Sequence, residues 1–494
     1  MVYISTRGNY PPVSSSEAIS IGMVPQGGLF VPESVPELKR SLLESSVSYQ
    51  ELASGVLSGF LSDFTTEEID YCVKNAYNND TFDDSRIAPM VQLGNNTSIL
   101  ELWHGPTAAF KDMALQIMPY LLQVSKEKNH NSAHTVILVA TSGDTGKAAL
   151  EGFKDCKDIS IIVFYPEGGV SEIQQLQMST TDGSNTYVLA VKGNFDDCQS
   201  GVKRIFSDLN LRKELASKNF EFSSANSINW GRLCPQIVYY VHSYATLLNQ
   251  KVIHPGEQVN FCVPTGNFGN ILAGYYAKRM GLPINKLICA SNQNNVLADF
   301  FATGTYDANR EFFKTNSPSM DILISSNLER FLFEITGHDS AKINEWYDAL
   351  SKTGRFTVDT QTKQAMDSLI IAGWIDEKQV LETIKHYFSE TSYLLDTHTA
   401  VGAALCRKLP PLSGHMVITS TASPYKFSCD VLAGITNESY SDEFECIRRI
   451  SSLSNTPQHR AVANLRERKV IHSDIITIEE MKESVRKIID SIRQ

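Results

Sequence analysis

Four segments of the chain repeat one pattern, and this pattern restricts the fold more than any other feature of the sequence. In each, a short apolar run rich in β-branched residues is closed by a loop of small polar residues and leads into a helical pattern. Uninterrupted apolar strands that alternate with helices are typical of a parallel sheet covered on both faces. Because such sheets bind ligands at the carboxyl ends of their strands, we predict an α/β fold whose site is built from these loops. The four runs with their loops are TVILVA with TSGDTG, VNFCVP with TGNFGN, LICA with SNQNN, and MVITS with TASPY.

Three regions are predicted along the chain. Residues 1–90 mix short strands with capped helices, among them TTEEIDYCVKNAY with acidic residues in its first turn, and form an N-terminal subdomain. Residues 91–435 contain the four repeated units and form the main region. Residues 436–494 form a charged segment whose pattern predicts helices. This segment gives little information about function.

The charge balance and the cysteine spacing argue against several functional classes. The chain carries 44 basic and 55 acidic side chains, so no broad basic surface is available for a nucleic acid or an anionic membrane. Its nine cysteines never have C-x-x-C spacing, which argues against a disulfide framework and against a zinc site. No window reaches the roughly 18 apolar residues of a spanning helix, and the N-terminus lacks a signal-peptide pattern. We expect a cytoplasmic protein without a metal ion.

Two of the loops have the composition of anion-binding loops. In PTGNFGN, Gly266 and Gly269 let successive backbone amides point at one place, where the positive end of the following helix adds its charge. TSGDTGK is similar in composition, but it lacks the first glycine and the final Ser or Thr of a P-loop. A G-x-G-x-x-G fingerprint is also missing, so neither ATP nor NAD is favoured. The alternatives are two ordinary strand-to-helix turns, or sites for a phosphorylated cofactor and for an anionic substrate group.

Lys111 lies at the start of an amphipathic pattern that predicts one buried helix face. A cation at a helix N-terminus opposes the helix dipole, and partial burial lowers its pKa, so both effects favour the neutral amine. A neutral lysine amine is the form that makes a Schiff base with an aldehyde. A surface lysine is the alternative, but the HGPT turn and the two anion loops favour pyridoxal 5′-phosphate (PLP). The apolar positions of the face are Phe110, Met113, Ala114, Ile117, Met118, Leu121 and Leu122.

Long strings of the chain, from residue 5 to about residue 430, resemble threonine synthases that have an added N-terminal domain. The resemblance implies a fold-type II PLP enzyme of the tryptophan synthase β type, with mostly parallel doubly wound sheets in two lobes and the cofactor between them. It also implies that O-phospho-L-homoserine and water are converted to L-threonine and phosphate by γ-elimination and β-addition. The strings are STRGN, GGLFVPE, ELWHGPTAAFKDMALQ, ATSGDTGKAA, NSINWGR, VPTGNFGNILAGYYAKRMGLP, MDILISSNLER and THTAVG.

The same resemblance assigns roles to individual residues. It implies that Lys111 binds the cofactor aldehyde covalently and that the hydroxyl of Thr421 contacts the pyridine nitrogen. Asn270 and Ser423 depart from the family pattern, which often has aspartate and histidine at these positions. The residues expected to hold the cofactor phosphate are Gly266, Asn267, Phe268, Gly269 and Asn270. The residues expected to bind the substrate are Ser142, Gly143, Asp144, Thr145 and Asn229, with Arg7, Lys147 and Arg232 as candidates for its phosphate group.

Two further functions are compatible with these loops. A related phospholyase would release 2-oxobutyrate, ammonia and phosphate from the same substrate, and product analysis separates it from a threonine synthase. A catalytically silent scaffold would keep the fold, but the intact Lys111 and both glycine loops argue against it. We expect a small-molecule substrate, no nucleic-acid or membrane partner, and a monomer or homodimer.

Overall fold

The structure, a computed structural model, describes residues 1–43, 47–94 and 96–492. Its long strands are buried along almost their whole length, as expected for sheets that are covered by helices on both faces. In chain order the strands are β1 (Tyr3–Ser5), β2 (Phe30–Pro32), β3 (Met90–Gln92), β4 (Thr97–Glu101), β5 (His134–Ala140), β6 (Ile159–Pro166), β7 (Thr186–Lys192), β8 (Phe220–Ser223), β9 (Val259–Pro264), β10 (Ile284–Ser291), β11 (Thr305–Asp307), β12 (Arg355–Thr357), β13 (Ile370–Trp374), β14 (His415–Ser420) and β15 (Ile475–Thr477).

Two mostly parallel sheets, one in each lobe, carry the fold. The larger sheet has the strand order β13-β10-β9-β14-β4-β3, in which β3 is antiparallel to β4. The smaller sheet has the order β15-β7-β6-β5-β8 and is parallel. The predicted α/β fold with two lobes is confirmed. The four repeated units divide between the lobes, because TVILVA lies in β5 of the smaller sheet and the other three lie in β9, β10 and β14.

Helices cover both sheets, and their ends follow the capping signals of the sequence. The predicted helix in TTEEIDYCVKNAY is confirmed, and the hydroxyl of Thr65 accepts a hydrogen bond from the backbone N–H of Glu68 in a capping box. The helices are α1 (Ser15–Ile21), α2 (Tyr49–Phe60), α3 (Thr66–Ala76), α4 (Asp112–Leu115), α5 (Met118–Lys128), α6 (Asp144–Phe153), α7 (Glu172–Ser179), α8 (Phe195–Ser207), α9 (Leu209–Ser217), α10 (Trp230–Leu233), α11 (Pro235–Asn249), α12 (Gly269–Arg279), α13 (Val296–Thr303), α14 (Leu328–Ile335), α15 (Ser340–Thr353), α16 (Thr360–Leu369), α17 (Glu377–Thr391), α18 (Thr397–Lys408), α19 (Ser428–Thr436), α20 (Glu443–Ser454) and α21 (Met481–Ile492). Short 3-10 helices occupy Arg40–Leu43, Pro318–Met320, Pro424–Phe427 and Leu465–Glu467.

The single helix predicted after Lys111 is broken in two, which corrects the sequence interpretation. α4 ends at Leu115 and α5 begins at Met118, although the predicted apolar positions are all buried or partly buried. Pro119 stands in the first turn of α5 and lacks the N–H that would bond to the carbonyl of Leu115. That carbonyl lies against Gly152 of α6, where a Cβ would be only 2.1 Å from its oxygen. The break therefore lets α6 pack directly on the segment that carries the lysine.

The C-terminal segment, residues 436–494, contains a strand in addition to the predicted helices. β15 pairs with β7, with Ile475 opposite Ala190, and extends the smaller sheet. Helix α21 buries Met481, Val485 and Ile489 in the cluster that also holds residues of α8. A strand of three residues is too short to show an alternating pattern, so no periodicity predicts it.

The N-terminal region packs closely on the larger lobe. Helices α1 and α3 contact α5, and α2 contacts α11. The rings of Tyr3 and Phe60 lie 5.4 and 5.7 Å from the ring of Trp230, centroid to centroid. One hydrophobic cluster holds residues from both sides of residue 90, and another from both sides of residue 435. The domain boundaries at these positions therefore stay predictions.

Within the described ranges, no helix has the length and apolar character needed to cross a membrane. All nine cysteines have free thiols, and six of them are buried. Burial raises the pKa of Cys72 and Cys289 to about 12, so these thiols stay protonated and unreactive at neutral pH.

Candidate active site

Three loops meet at one edge of the larger sheet, because β9, β14 and β4 are parallel neighbours. The loop after β4 carries Lys111, the loop after β14 carries Thr421, and the loop after β9 contains residues 266–270. The backbone N–H of Phe110 donates to the carbonyl of Thr421 at 2.8 Å, and an isolated β-bridge joins the same two loops. Lys111 and Thr421 are thereby held side by side.

The amine of Lys111 faces Asp144, which begins α6 in the smaller lobe. Its Nζ lies 3.3 Å from Asp144 Oδ2 and 3.4 Å from Ser319 Oγ, and 11% of the side chain is exposed. Burial lowers the pKa of Lys111; Asp144 acts in the opposite direction, and the charges of Lys426 and Arg232 lower the pKa further. Because α4 has only four residues, burial rather than the helix dipole is the main cause. Burial and the two neighbouring cations thus shift Lys111 toward the neutral amine, and Asp144 opposes this shift.

Asp144 is the centre of a hydrogen-bond network that joins the two lobes. Its Oδ1 accepts from Lys426 Nζ and from Gln174 Nε2, each at 2.9 Å, and its Oδ2 accepts from Ser319 Oγ at 2.6 Å. Burial by itself would raise the pKa of Asp144, but the ammonium groups of Lys426 and Lys111 hold it well below its usual range. The residue is therefore a carboxylate at neutral pH.

Lys426 is a residue of this site that the sequence analysis missed. Its side chain is 0% exposed, and its Nζ donates to Asp144 and to the carbonyl of Thr107, both at 2.9 Å. It follows Thr421 by five positions, in the 3-10 helix Pro424–Phe427. The available signal was its position directly after TASPY, the loop that the sequence predicts to reach the site.

The loop of residues 266–270 has the geometry of an anion site. Phe268 has a φ angle of 61°, in the left-handed region that a bulky residue rarely adopts, and its ring packs on Phe301 and Phe331. This turn starts α12 without a side-chain cap. Among the described residues, no acceptor faces the backbone N–H groups of residues 269–271. These donors, at the positive end of a helix of 11 residues, are available to an anion.

Asn270 adds a side-chain donor to this loop. Its Oδ1 accepts from the hydroxyls of Tyr239 and Tyr240, both at 2.7 Å. Its Nδ2 is buried and has no partner within the part of the chain that the structure describes. A buried donor without an acceptor costs about 1–3 kcal/mol, so a phosphate at the start of α12 would relieve a real penalty. The loop therefore fits the phosphate group of a cofactor, with exposed Asn267 at its rim.

The loop from Ser142 to Thr145 faces Lys111 from the smaller lobe. Ser142 is exposed and Thr145 is half-buried. The backbone N–H of Gly143 donates to Thr141 Oγ1 at 2.9 Å, which tightens the turn. The φ angle of Gly143 is 131°, and a Cβ there would lie 2.3 Å from the side chain of Gln174.

We expect Gly143→Ala to lower the free energy of unfolding by about 2 kcal/mol or more. The new methyl group both adopts a strained backbone conformation and displaces Gln174 from Asp144. Urea unfolding followed by circular dichroism measures the loss. Gly168→Ala is the matched control, because Gly168 also has a positive φ angle, of 66°, but has nothing within 4 Å of its Cβ position. Equal losses in the two variants would contradict this account.

Arg232 has the burial and the charge that suit an anion-binding residue. It is buried, and its Nη1 donates to the carbonyl of Ala225 at 2.8 Å. Burial lowers the pKa of Arg232 to about 10, and no carboxylate within the described ranges pairs with it. Its charge is close enough to lower the pKa of Lys111. A buried guanidinium without a carboxylate partner is suited to a ligand phosphate or carboxylate.

The other two cations predicted for the substrate phosphate have carboxylate partners. Arg7 makes a two-point contact with Glu329, at 3.1 and 3.0 Å from its Nε and Nη2. Lys147 pairs with Glu151 and donates to Thr181 Oγ1 at 3.0 Å. Both pairs would have to open before either cation could bind a substrate, so the structure favours Arg232 over them.

Asn229 acts as a helix cap. Its Nδ2 donates to the carbonyl of Ile19 at 3.0 Å, and its Oδ1 accepts from the backbone N–H of Gly231 at 2.8 Å. These bonds start α10 and tie the N-terminal region to the segment that presents Arg232. Asn229 thus positions a neighbour, and a direct contact with substrate would require it to leave its cap.

The two polar residues beside the lysine motif are held in networks of their own. Asp112 accepts from the backbone N–H and the hydroxyl of Thr107, at 2.9 and 2.7 Å, and burial raises its pKa to about 6. His104 lies between Asp83 and Glu101, at 2.7 and 2.8 Å. Burial lowers the pKa of His104, but the two carboxylates outweigh this effect and raise it to about 9.

We expect His104 to make stability depend on pH. Because its pKa is higher in the folded state than in the unfolded state, its contribution is complete below about pH 6.5 and is lost as the pH rises through about 9. The contribution is at most about 3 kcal/mol. Urea unfolding of the parent and of His104→Gln across this range should show their difference shrinking with pH. A difference that stays constant would exclude this role.

A buried lysine amine whose pKa is lowered, at the same end of the sheet as a loop whose N–H groups can bind an anion, between two lobes of mostly parallel sheet, is typical of PLP-dependent enzymes. In agreement, residues 88–421 match the family described as "Pyridoxal-phosphate dependent enzyme", and residues 2–77 match "Threonine synthase N terminus". The threonine synthase of Pseudomonas aeruginosa is 40% identical over 437 residues, which cover 86% of this chain and 89% of that protein. The chain belongs to the threonine synthase family.

Two more comparisons describe how far the similarity extends. The solved structure of PLP-bound threonine synthase from Brucella melitensis superposes with a TM-score of 0.87 at 36% identity and covers 99% of both chains. Threonine synthase-like 1 from Pongo abelii is 39% identical over 484 residues, which cover 93% of this chain and 64% of that protein. The chain therefore spans less than two thirds of the length of this relative.

Proposed function

We propose that this chain is a threonine synthase, which converts O-phospho-L-homoserine and water to L-threonine and phosphate. The observation that carries the proposal is the buried Lys111 amine, which lies within the electrostatic reach of Arg232, a guanidinium without a carboxylate partner among the described residues. It is presented at the end of the sheet that also carries the N–H donors at the start of α12. Such a site accepts two anionic groups, one on a cofactor and one on a substrate. The family relationship supports the same conclusion.

The residues that would hold PLP are Lys111 for its aldehyde, residues 266–270 for its phosphate and Thr421 for its pyridine nitrogen. When bound, PLP supplies the aldehyde that captures an amine and a conjugated ring that accepts electrons from the substrate carbons. Within the part of the chain that the structure describes, Nδ2 of Asn270 and the amides at the start of α12 have no acceptor, which supports this assignment. The hydroxyl of Thr421 has no charge, so it would leave the ring nitrogen largely unprotonated.

Within this proposal, the residues of the chain bind the substrate and move its protons. Arg232 binds the substrate phosphate, and Ser142, Gly143 and Thr145 bind the amino-acid carboxylate at the start of α6. The neutral Nζ of Lys111 takes a proton from the substrate Cα, passes it on, and then takes a second proton from Cβ, and Asp144 stabilises the ammonium each time. After phosphate has left, one of these two protons returns to Cγ and the other to Cα. Water supplies the hydroxyl group at Cβ, and its remaining proton leaves with the phosphate.

A product assay tests the proposal. Purified protein is incubated with PLP and O-phosphohomoserine, released phosphate is measured, and the organic product is identified by mass spectrometry. Threonine in equal amount to phosphate supports the proposal. 2-Oxobutyrate with ammonia would identify the phospholyase instead, and the absence of phosphate release would overturn both. We further propose that the protein is cytoplasmic and that it is a monomer or homodimer. Gel filtration of the purified chain tests the oligomeric state.

A further inference from the structure

The positive charges around Asp144 exceed what the site needs to hold one carboxylate. The charged groups that face Lys111 are Asp144 from α6, Lys426 from the Pro424–Phe427 helix, and Arg232 from α10. The roles above use Lys111 for the aldehyde and Arg232 for the substrate phosphate. Lys426 has no role in them, although it is more deeply buried than Lys111. Burying an ammonium group is costly, so a lysine at such a position calls for an explanation.

The contacts of Lys426 connect three parts of the site. Its Nζ reaches Asp144 in the smaller lobe and the carbonyl of Thr107 in the larger lobe, both at 2.9 Å. Thr107 also binds Asp112, the neighbour of Lys111 in the chain. Lys426 therefore links the loop that begins α6 to the segment that presents the reactive amine.

We propose that Lys426 is a positioning residue of the active site, which holds Asp144 and the loop of residues 142–146 across the cleft from Lys111. This inference rests on the proposed function. Gln174 and Ser319 also bind Asp144, but both are neutral, so Lys426 supplies the charge that satisfies the carboxylate when the amine of Lys111 is not protonated. With Lys426 in place, Asp144 has a cationic partner and Lys111 is free to be a neutral amine.

Removing Lys426 is expected to change the state of Lys111. Asp144 would then have Lys111 as its remaining close cation, and the pair would hold the amine in its protonated form. Loss of the neighbouring ammonium acts in the same direction, since it removes a charge that lowers the pKa of Lys111. Asp144, which belongs to the loop of residues 142–146, also loses one of its two cationic partners, Lys426 and Lys111.

The test measures the amine of Lys111 directly, in cofactor-free protein. The reactivity of Lys111 toward acetic anhydride is followed across a pH series by mass spectrometry of its peptide. The pH at which labelling of Lys111 is half-maximal is called the midpoint. In Lys426→Met we expect this midpoint to rise by about one pH unit, and in Lys426→Arg we expect it to stay near that of the parent. In the cofactor-loaded enzyme, Lys426→Met should lower kcat for O-phosphohomoserine about 100-fold with a much smaller change in KM, since the loop is misplaced.

Lys126→Met is the matched control. Lys126 is also a buried lysine, and its Nζ donates to Thr135 Oγ1 at 2.8 Å. Thr135 lies at the start of β5, whereas residues 142–146 follow the other end of the same strand. Lys126→Met should leave the midpoint of Lys111 and kcat unchanged. Lys426→Gln, which keeps an N–H donor without the charge, is measured in parallel in case Lys426→Met does not fold.

The possible outcomes separate this inference from the proposed function. A raised midpoint in either folded variant, with Lys426→Arg close to the parent, supports the inference whichever product the enzyme makes. An unchanged midpoint in a folded variant overturns it. Failure of both uncharged variants to fold would assign Lys426 to structure alone and would also overturn it. The labelling uses no substrate, so a wrong product assignment does not affect its result.

Discussion

Replacing Lys111 with alanine is expected to reduce turnover of O-phosphohomoserine by about 1,000-fold or more. The methyl group offers no amine to an aldehyde and no base to a proton on the substrate Cα. The loop of residues 266–270 does not contain this lysine, so the variant should still bind PLP without a covalent bond. Phosphate release measures turnover. Loss of the visible absorbance band of lysine-bound PLP shows that the covalent bond is missing, and retention of PLP after gel filtration shows that noncovalent binding remains.

Lys126→Ala controls for the loss of a buried lysine. Its Nζ lies away from the site and donates to the carbonyl of Ala133 and the hydroxyl of Thr135 at the start of β5, and to the carbonyl of Asp158 just before β6. Because this control removes an equally long side chain, equal losses of turnover in the two variants would point to a general loss of structure. Full turnover in Lys111→Ala would remove the basis of the functional assignment.

The second large effect is expected for Arg232→Gln, which should lower kcat/KM for O-phosphohomoserine about 100-fold. The guanidinium is buried and lacks a carboxylate partner among the described residues, so a bound phosphate would receive its full charge. Glutamine keeps a hydrogen-bond donor but no charge. Inhibition by inorganic phosphate provides an independent measurement, and its inhibition constant should rise by a similar factor.

Two further variants make this prediction specific. Arg232→Lys retains the charge without the planar fork and should recover part of the loss. Arg448→Gln removes an exposed arginine that pairs with Glu445 on α20, and should change neither kcat/KM nor phosphate inhibition. If Arg232→Gln changes kcat/KM by less than threefold, the substrate phosphate is bound elsewhere, and Arg7 and Lys147 become the next candidates.

The parts of the site that sequence could predict are those with a local pattern. The glycine loop of residues 266–270 and the lysine segment each lie within one strand–loop–helix unit, and the carboxyl-end rule then places such loops on one edge of a sheet. That rule does not say which strands are neighbours. The adjacency of β9, β14 and β4, which brings Lys111 beside Thr421, is a long-range property that only the folded chain reveals.

Lys426 was missed for a related reason. A lysine is normally exposed, and its burial here depends on Asp144, which is far away in the sequence and in the other lobe. Nothing within a few residues of Lys426 indicates this partner. The break at Pro119 is the opposite case, because a proline within a helical pattern is a local signal, which the apolar spacing alone does not contain.

The short strand β15 has a consequence for synthesis of the protein on the ribosome. Its partner β7 is translated almost three hundred residues earlier, so the edge of the smaller sheet stays without its last strand during elongation, on the order of tens of seconds at ordinary rates. An open strand edge can pair with other chains. Nascent chains stalled before residue 475 should therefore recruit chaperones or aggregate more readily than the finished protein.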